Sequence, residues 1–204
     1  MKVNTQNELR ENLLNVRKSF RLLFEYQTKI KDLVKYIGNS LAYSYGGGWP
    51  LFSNPAPRRG SGSLDNWAWD WLNMYSYAFH FGGKEIKNKK ITLEIRIYND
   101  TGYYDSSIEN KNQCRTDTFL PVEEASTKLV FIASQKGWVP DELLKNFSQK
   151  ENEYKLINEK CHMLAKAYDL ALFLDQEHTD LQIQNFVSFC AREDLLLKEQ
   201  EQKN

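Results

Sequence analysis

The sequence predicts an α+β protein in which a long N-terminal helix and two or three C-terminal helices flank a central antiparallel sheet of three to five strands. Three patterns predict this class. Apolar residues recur at four- and three-residue steps over 9–41, alternate at two-residue steps within 64–98, and return to helical spacing after residue 140. The length suits a single domain over residues 1–204.

The first helix is predicted over residues 6–41. Thr5 and Glu8 have the spacing of a capping box, in which each side chain satisfies a main-chain amide at the helix start. The apolar repeat that follows is typical of a coiled-coil seam. Its members are Leu9, Leu13, Val16, Phe20, Leu23, Gln27, Ile30, Val34, Ile37 and Leu41. Gln27 is the polar member of the seam, and Gly38 and the Asn39-Ser40 pair are expected places for the helix to fray or stop.

A long loop is predicted over residues 42–63, because three consecutive glycines and three prolines interrupt regular structure there. We interpret the glycine triplet as a hinge or turn, since it has neither the P-loop nor the dinucleotide-binding spacing. The stretch 64–81 then places aromatic residues at every second position, which predicts one face of a strand. We expect these rings to lie in the core or in a partner interface, with a ligand platform as the alternative.

The sheet region is predicted to extend over residues 64–135. A basic segment suits a hairpin tip around Asn88, and the following residues 91–98 alternate apolar and polar side chains as in an amphipathic strand. The continuous apolar run 128–134 is typical of a central strand.

Residues 140–199 are predicted to be helical. Tyr154 to Ala171 keep the three- and four-residue spacing, and Ser148 and Thr179 each begin a further capping-box pattern. Residues 200–204 are expected to form a solvated tail. In the simplest arrangement, the first helix packs its apolar seam against the C-terminal helices in an antiparallel bundle. The alternative is a protein partner or a homodimer bound through the N-terminal helix, with Gln27 setting the register.

Charge and cysteine content restrict the partners. The 27 basic and 27 acidic side chains give a net charge of +0, so no overall field attracts nucleic acid and this partner is not favoured. No apolar run approaches the roughly 18 residues of a membrane span, and the first residues lack a signal-peptide pattern. The three cysteines are far apart and suit reduced thiols, so we expect a cytoplasmic protein without membrane association.

Asp70, His80, Glu94 and Arg96 are the candidate catalytic residues. His80, Glu94 and Arg96 would share one patch if their strands pair as a hairpin in a suitable register. An Asp followed by Glu-x-Lys on a hairpin holds Mg²⁺ in many nucleases. Arg96 stands at the lysine position and cannot replace its proton chemistry. Ion pairing on a solvated sheet face accounts for the same residues.

Arg58, Arg59 and Trp49 are the candidate ligand-binding residues. Guanidinium groups on a Gly- and Pro-rich loop can close over a phosphate or a carboxylate, and an ordinary solvated loop is the alternative. Cysteine and histidine spacings predict no metal site, and the sequence indicates no particular cofactor.

These patterns favour a non-catalytic protein-interaction or regulatory module, because a long seam and an aromatic strand are present without a catalytic set. Two alternatives stay open. One is a binding module for a phosphorylated small molecule or single-stranded nucleic acid, using Arg58 and Arg59. The other is a metal-dependent nuclease or hydrolase centred on Glu94.

Overall fold

The computed structural model describes residues 5–54, 67–109, 112–136 and 152–197. The chain divides into two compact units, Met1–Tyr36 and Ile37–Asn204. The helices and strands, in chain order, are α1 (Gln6–Ser40), β1 (Gly47–Pro50), β2 (Ser76–Ile86), β3 (Lys89–Tyr98), α2 (Gly102–Asp105), β4 (Lys128–Gln135), β5 (Glu153–Asn158), β6 (Cys161–Asp169) and α3 (Gln176–Arg192). The predicted α+β class and the long N-terminal helix are confirmed.

One antiparallel sheet has its six strands in the order β1-β2-β3-β4-β6-β5. The prediction of three to five strands is too low, because β1 lies in the segment expected to be a loop and β5 and β6 lie in a segment expected to be helical. β4 occupies the predicted central place. Lys87 and Asn88 both have positive φ, as the predicted β2–β3 hairpin tip requires.

α1 starts with the predicted capping box. The Thr5 amide donates to Glu8 Oε2 at 2.8 Å, and the Glu8 amide donates to Thr5 Oγ1 at 3.3 Å. The helix continues through Gly38 and ends at Ser40, in the Asn39-Ser40 pair where an end was expected. Gly38 is buried, and a Cβ at this position would overlap the Phe81 ring. The missing side chain therefore permits close packing.

The aromatic stretch is a strand only in its second half. The residues before β2 form two short 3₁₀ turns, Ala68–Trp71 and Asn73–Tyr75. Phe79 and Phe81 on β2 are buried, as expected for core rings, whereas Trp67 is exposed. The alternation of aromatic residues does not produce a strand before residue 76. The Asp70 carboxylate accepts from the Trp67 amide and stabilises a turn in this segment instead.

The predicted helix through Tyr154 to Ala171 is wrong, because β5 and β6 form a hairpin there. Asn158 closes its turn, since the Asn158 Oδ1 accepts hydrogen bonds from the amides of Lys160 and Cys161 at 2.9 Å each. β6 is mostly buried on both of its faces, so apolar residues on the two faces together imitate helical spacing. The expected helix start at Ser148 lies outside the described residues.

α3 is therefore the one long C-terminal helix among the described residues, in place of the two or three predicted. It begins earlier than the Thr179 pattern suggests, because the Asp175 carboxylate caps it by accepting from the His178 amide at 2.9 Å. The buried side of α3 packs on the sheet, where the Phe186 and Phe131 ring centroids are 5.4 Å apart at near right angles.

β3 is buried on both faces in the centre of the sheet. Ile95 and its alternate neighbours lie on the same face as Phe131, which we call the α3 face. Glu94, Arg96 and Tyr98 lie on the opposite face, which we call the cluster face. The expectation that this polar face is solvated is wrong. Among the residues described, no helix has the length and apolar character needed to cross a membrane.

Candidate functional site

Three of the four candidate catalytic residues lie together on the cluster face. β2 and β3 pair in the register that sets His80 opposite Glu94 and Ala78 opposite Arg96. Arg96 Nε donates to Glu94 Oε1 at 2.6 Å, and Glu94 Oε2 lies 3.8 Å from His80 Nδ1. We call His80, Glu94 and Arg96 the polar cluster. A catalytic role for it stays a prediction.

The charged pair of the polar cluster is almost fully desolvated. Arg96 is 1% exposed and Glu94 is 5% exposed. The neighbouring positions on β4 are Val130 and Ile132, which offer no polar groups from their side chains. Burial alone lowers the pKa of Arg96, but Tyr98 and Glu94 more than offset this effect, so the Arg96 pKa is raised. The guanidinium therefore stays charged in the core, with Glu94 as its counter-ion.

Tyrosine side chains extend the polar cluster away from His80. The Tyr98 and Tyr104 rings meet edge to face with centroids 5.3 Å apart. The Tyr104 hydroxyl lies 3.0 Å from Ser76 Oγ, and burial raises the pKa of Tyr104. These contacts fill the space beside Arg96 with packed rings, so this side of the cluster is part of the core.

His80 is the exposed member of the polar cluster, with a side-chain exposure of 37%. Its ring centroid lies 6.1 Å from that of Trp49 on β1. A β-bulge follows directly, because the β2–β3 register shifts between His80 and Gly83, and Gly82 has a φ of +50°. An imidazole with a carboxylate behind it can accept or donate a proton at its outer nitrogen. Side-chain alternation indicated neither the bulge nor the Trp49–His80 contact, although the Gly82-Gly83 pair was a signal that could have identified the bulge.

Asp70 does not lie on the strand that carries His80. It is buried in the 3₁₀ turn before β2, where Asp70 Oδ1 accepts from the Asn54 amide at 2.8 Å and Oδ2 accepts from the Trp67 amide at 3.1 Å. Both carboxylate oxygens therefore accept hydrogen bonds from main-chain amides. This arrangement does not support the paired-carboxylate site drawn from Asp70 and Glu94.

Apart from Trp49, no other candidate among the described residues adds to the polar cluster. Among the residues that the structure describes, no three His, Cys, Asp or Glu side chains are grouped so that they could hold a metal ion. The Gly46 amide donates to the His80 carbonyl at 2.8 Å and Gly47 starts β1, so the glycine triplet is part of the sheet edge rather than a hinge. Arg58 and Arg59 lie outside the described residues, and the anion-binding hypothesis stays a prediction.

The seam of α1 is the second candidate feature. Its N-terminal members are all exposed, from 39% at Leu23 to 65% at Phe20. These members are Leu9, Leu13, Val16, Phe20 and Leu23, and we call them the exposed seam. They repeat at four- and three-residue steps, so they form one continuous stripe along the helix.

Polar residues flank the N-terminal part of the exposed seam. Arg10 and Arg17 border it on one side, and Asn12 and Ser19 border it on the other, while Phe24, which is 73% exposed, and Tyr26 continue these two sides toward the C-terminus. Leu14 and Leu22 are also exposed, at 43% and 68%, but their sequence positions place them away from the stripe. The exposed seam therefore has polar edges over residues 10–19, as a helix–helix contact surface requires.

Comparison with protein families places both features within one domain family. The family model described as PM0109 matches residues 6–197. The chain belongs to the PM0109 family. The matched range contains α1, every strand of the sheet and α3. Neither the curated proteins nor the solved structures that were compared gave a match.

The two features of this PM0109 family member differ in accessibility. The polar cluster is open to solvent at His80, while its ion pair is buried in the core. The exposed seam presents five large apolar side chains at the surface. Accessible apolar stripes with polar borders are typical of interaction surfaces.

Proposed function

We propose that the protein is a non-catalytic interaction module that associates with a second copy of itself through the exposed seam of α1. The observation that carries the proposal is the exposure of Leu9, Leu13, Val16, Phe20 and Leu23 in a single chain. A stripe with this spacing matches the contact line of a coiled coil. A second copy brings an identical stripe of the same length, so the surface is complementary to itself.

The described C-terminal region offers α1 no free helical partner within the same chain, which supports a partner from a second chain. The bundle predicted from the sequence needs helical partners over residues 140–199, and the part around Tyr154 to Ala171 is the β5–β6 hairpin. The apolar side of α3 is already used by the sheet, through Phe186 and its neighbours. Of the arrangements open at the outset, these observations weigh against the intrachain bundle and support association with a second chain, for which we propose a second copy of the protein.

The energetics favour a reversible dimer. Burying a fully exposed Leu or Phe side chain stabilises by about 1.5–3 kcal/mol, and these side chains are about half exposed, so each gains roughly half of that amount. Association costs roughly 4–15 kcal/mol in lost freedom. Because α1 is already helical, no folding cost is added. The two terms are similar in size, so the dimer population should depend on concentration.

A cytosolic setting is part of the proposal. Cys114, Cys161 and Cys190 are all free thiols, which suits a reducing compartment. Catalysis by the polar cluster is not part of the proposal, because its ion pair is explained by the neutralisation of a buried arginine.

Two matched leucine pairs test the proposal. Leu13→Glu with Leu23→Glu removes two members of the exposed seam, and Leu14→Glu with Leu22→Glu makes the same chemical change outside it. All four side chains are exposed, so both variants should keep the helical and sheet signals of the wild type in circular dichroism. Sedimentation velocity should find the seam variant monomeric at a concentration at which the wild type and the control variant are dimeric. Equal association of the two variants would refute the role of the seam.

A further inference from the structure

We infer that the two copies of α1 pair in parallel and in register, so that each exposed-seam residue faces its own copy. This inference rests on the proposed self-association and specifies the geometry of the partner. The argument comes from the residues that flank the seam and from its one polar position. Seam residues occupy the a and d positions of a heptad, with Leu13 and Phe20 at a and Leu9, Val16 and Leu23 at d.

The flanking charges favour the parallel pairing. The e positions hold Arg10, Arg17 and Phe24, and the g positions hold Asn12, Ser19 and Tyr26. In a parallel pair, each g residue faces the e residue of the next heptad on the partner. Asn12 then faces Arg17, and Ser19 faces Phe24, so no two like charges meet. The amide oxygen of Asn12 can accept from the Arg17 guanidinium.

An antiparallel pairing with full overlap gives a less favourable set of neighbours. It brings e positions against e positions, so Arg17 approaches the copy of itself near the symmetry axis. Two guanidinium groups that face each other across the helix pair repel. No acidic side chain occupies an e or g position between residues 10 and 26, so nothing on these flanks offsets the repulsion. The flanking charges therefore disfavour this orientation.

The polar seam residue Gln27 also favours the parallel over the antiparallel pairing. It continues the seam at an a position and is half-buried. In the parallel pair, Gln27 faces Gln27 of the second copy, and the two side-chain amides can donate to and accept from each other. In the fully overlapped antiparallel pair, Gln27 faces Leu9, which offers no hydrogen-bond partner. A polar pair at an a position also fixes the register, because a shift by one heptad would set each glutamine against an apolar layer.

Single-cysteine cross-linking tests the orientation in the full-length chain. Cys114 is exposed and is first replaced by serine, while Cys161 and Cys190 are buried and are left in place. Leu13→Cys and Leu23→Cys are then made separately within the exposed seam, at positions that lie about 15 Å apart along the helix axis and that face each other in the antiparallel pair. Lys18→Cys, on the opposite side of the helix, is the control.

Mild copper-catalysed oxidation should convert each seam variant, by itself, to a covalent species of twice the 24.0 kDa chain mass, and the Lys18→Cys control should stay largely uncross-linked. Cross-linking only in a mixture of Leu13→Cys with Leu23→Cys would establish antiparallel pairing and overturn the inference. Cross-linking of only one of the two variants by itself would overturn the in-register arrangement.

Sedimentation velocity of the same variants under reducing conditions tests self-association separately from the parallel geometry. A dimer that fails to cross-link at both seam positions refutes the parallel geometry and leaves self-association standing. A monomer at every concentration refutes self-association itself, and the inferred geometry with it.

Discussion

Glu94 Oε1 and Arg96 Nε lie 2.6 Å apart in the core of the sheet, and the two side chains together are almost inaccessible to solvent. The pair lies two residues apart on one face of β3, with Val130 and Ile132 beside it on β4. Forming a desolvated ion pair costs free energy. Removing one partner destabilises the fold further, because the other charge is left buried without a counter-ion.

We expect Glu94→Ala to lower the free energy of unfolding by about 3–5 kcal/mol, because it leaves the Arg96 guanidinium buried without its counter-ion. Replacing both residues, as Glu94→Met with Arg96→Met, should recover most of this loss, since apolar side chains of similar size suit the surrounding core. Urea unfolding followed by circular dichroism measures both variants. A single variant as stable as the wild type would show that the pair is not desolvated in solution.

Gly38 and Phe81 provide a second test of the packing. In an exposed helix, replacing glycine with alanine stabilises by about 1 kcal/mol. At position 38, the added methyl group would overlap the Phe81 ring, so overpacking should dominate and Gly38→Ala should destabilise by about 1–3 kcal/mol. Asn39→Ala, at the exposed neighbouring position, is the control and should stay within about 0.5 kcal/mol of the wild type. A stabilising Gly38→Ala would contradict the close contact.

The start of α3 should show a small pH dependence. Asp175 Oδ1 lies 2.8 Å from His178 Nδ1, and this hydrogen bond raises the pKa of His178, while hydrogen bonds from His178 lower the pKa of Asp175. The pair therefore stabilises the helix start above the ordinary carboxylate pKa and below the ordinary histidine pKa. This contribution disappears as the pH rises through the raised pKa of His178, or falls through the lowered pKa of Asp175.

Asp175→Asn should return the His178 pKa toward its ordinary value of about 6.5. Proton NMR of the imidazole resonances follows the titration directly, and the other two histidines of the chain serve as internal references. Both groups are exposed, so the change in stability should be slight. An unchanged His178 titration in the variant would show that the hydrogen bond does not persist in solution.

Local patterns predicted much of the fold. The Thr5–Glu8 capping box is a contact between residues three apart, so the sequence alone contains the information for it. The same holds for the turn at Asn88, where two residues of positive φ connect strands whose alternation is visible. In the C-terminal region, Tyr154 to Ala171 matched a helical template because β6 is apolar on both faces. The alternation of Cys161, Met163 and Ala165 and the turn residue Asn158 were the signals that could have identified the hairpin.

The candidate site was predictable in part. Alternation on β3 placed Glu94 and Arg96 on one face, and a hairpin register brought His80 to them. Their burial was not predictable, because the residues paired beside them on β4, Val130 and Ile132, are distant in sequence. The role of Asp70 was hidden for the same reason, since one of its hydrogen-bond donors, the Asn54 amide, is 16 residues away. Periodicity indicates which face a residue occupies and does not indicate what covers that face.

The central claim is that the exposed seam of α1 joins two copies of the chain. The most direct measurement is the mass of the wild-type protein across a dilution series, by sedimentation velocity with native mass spectrometry at the ends of the range. The account predicts a reversible shift between the 24.0 kDa chain and a species of twice that mass as the concentration rises. A mass of 24.0 kDa throughout the series would contradict it.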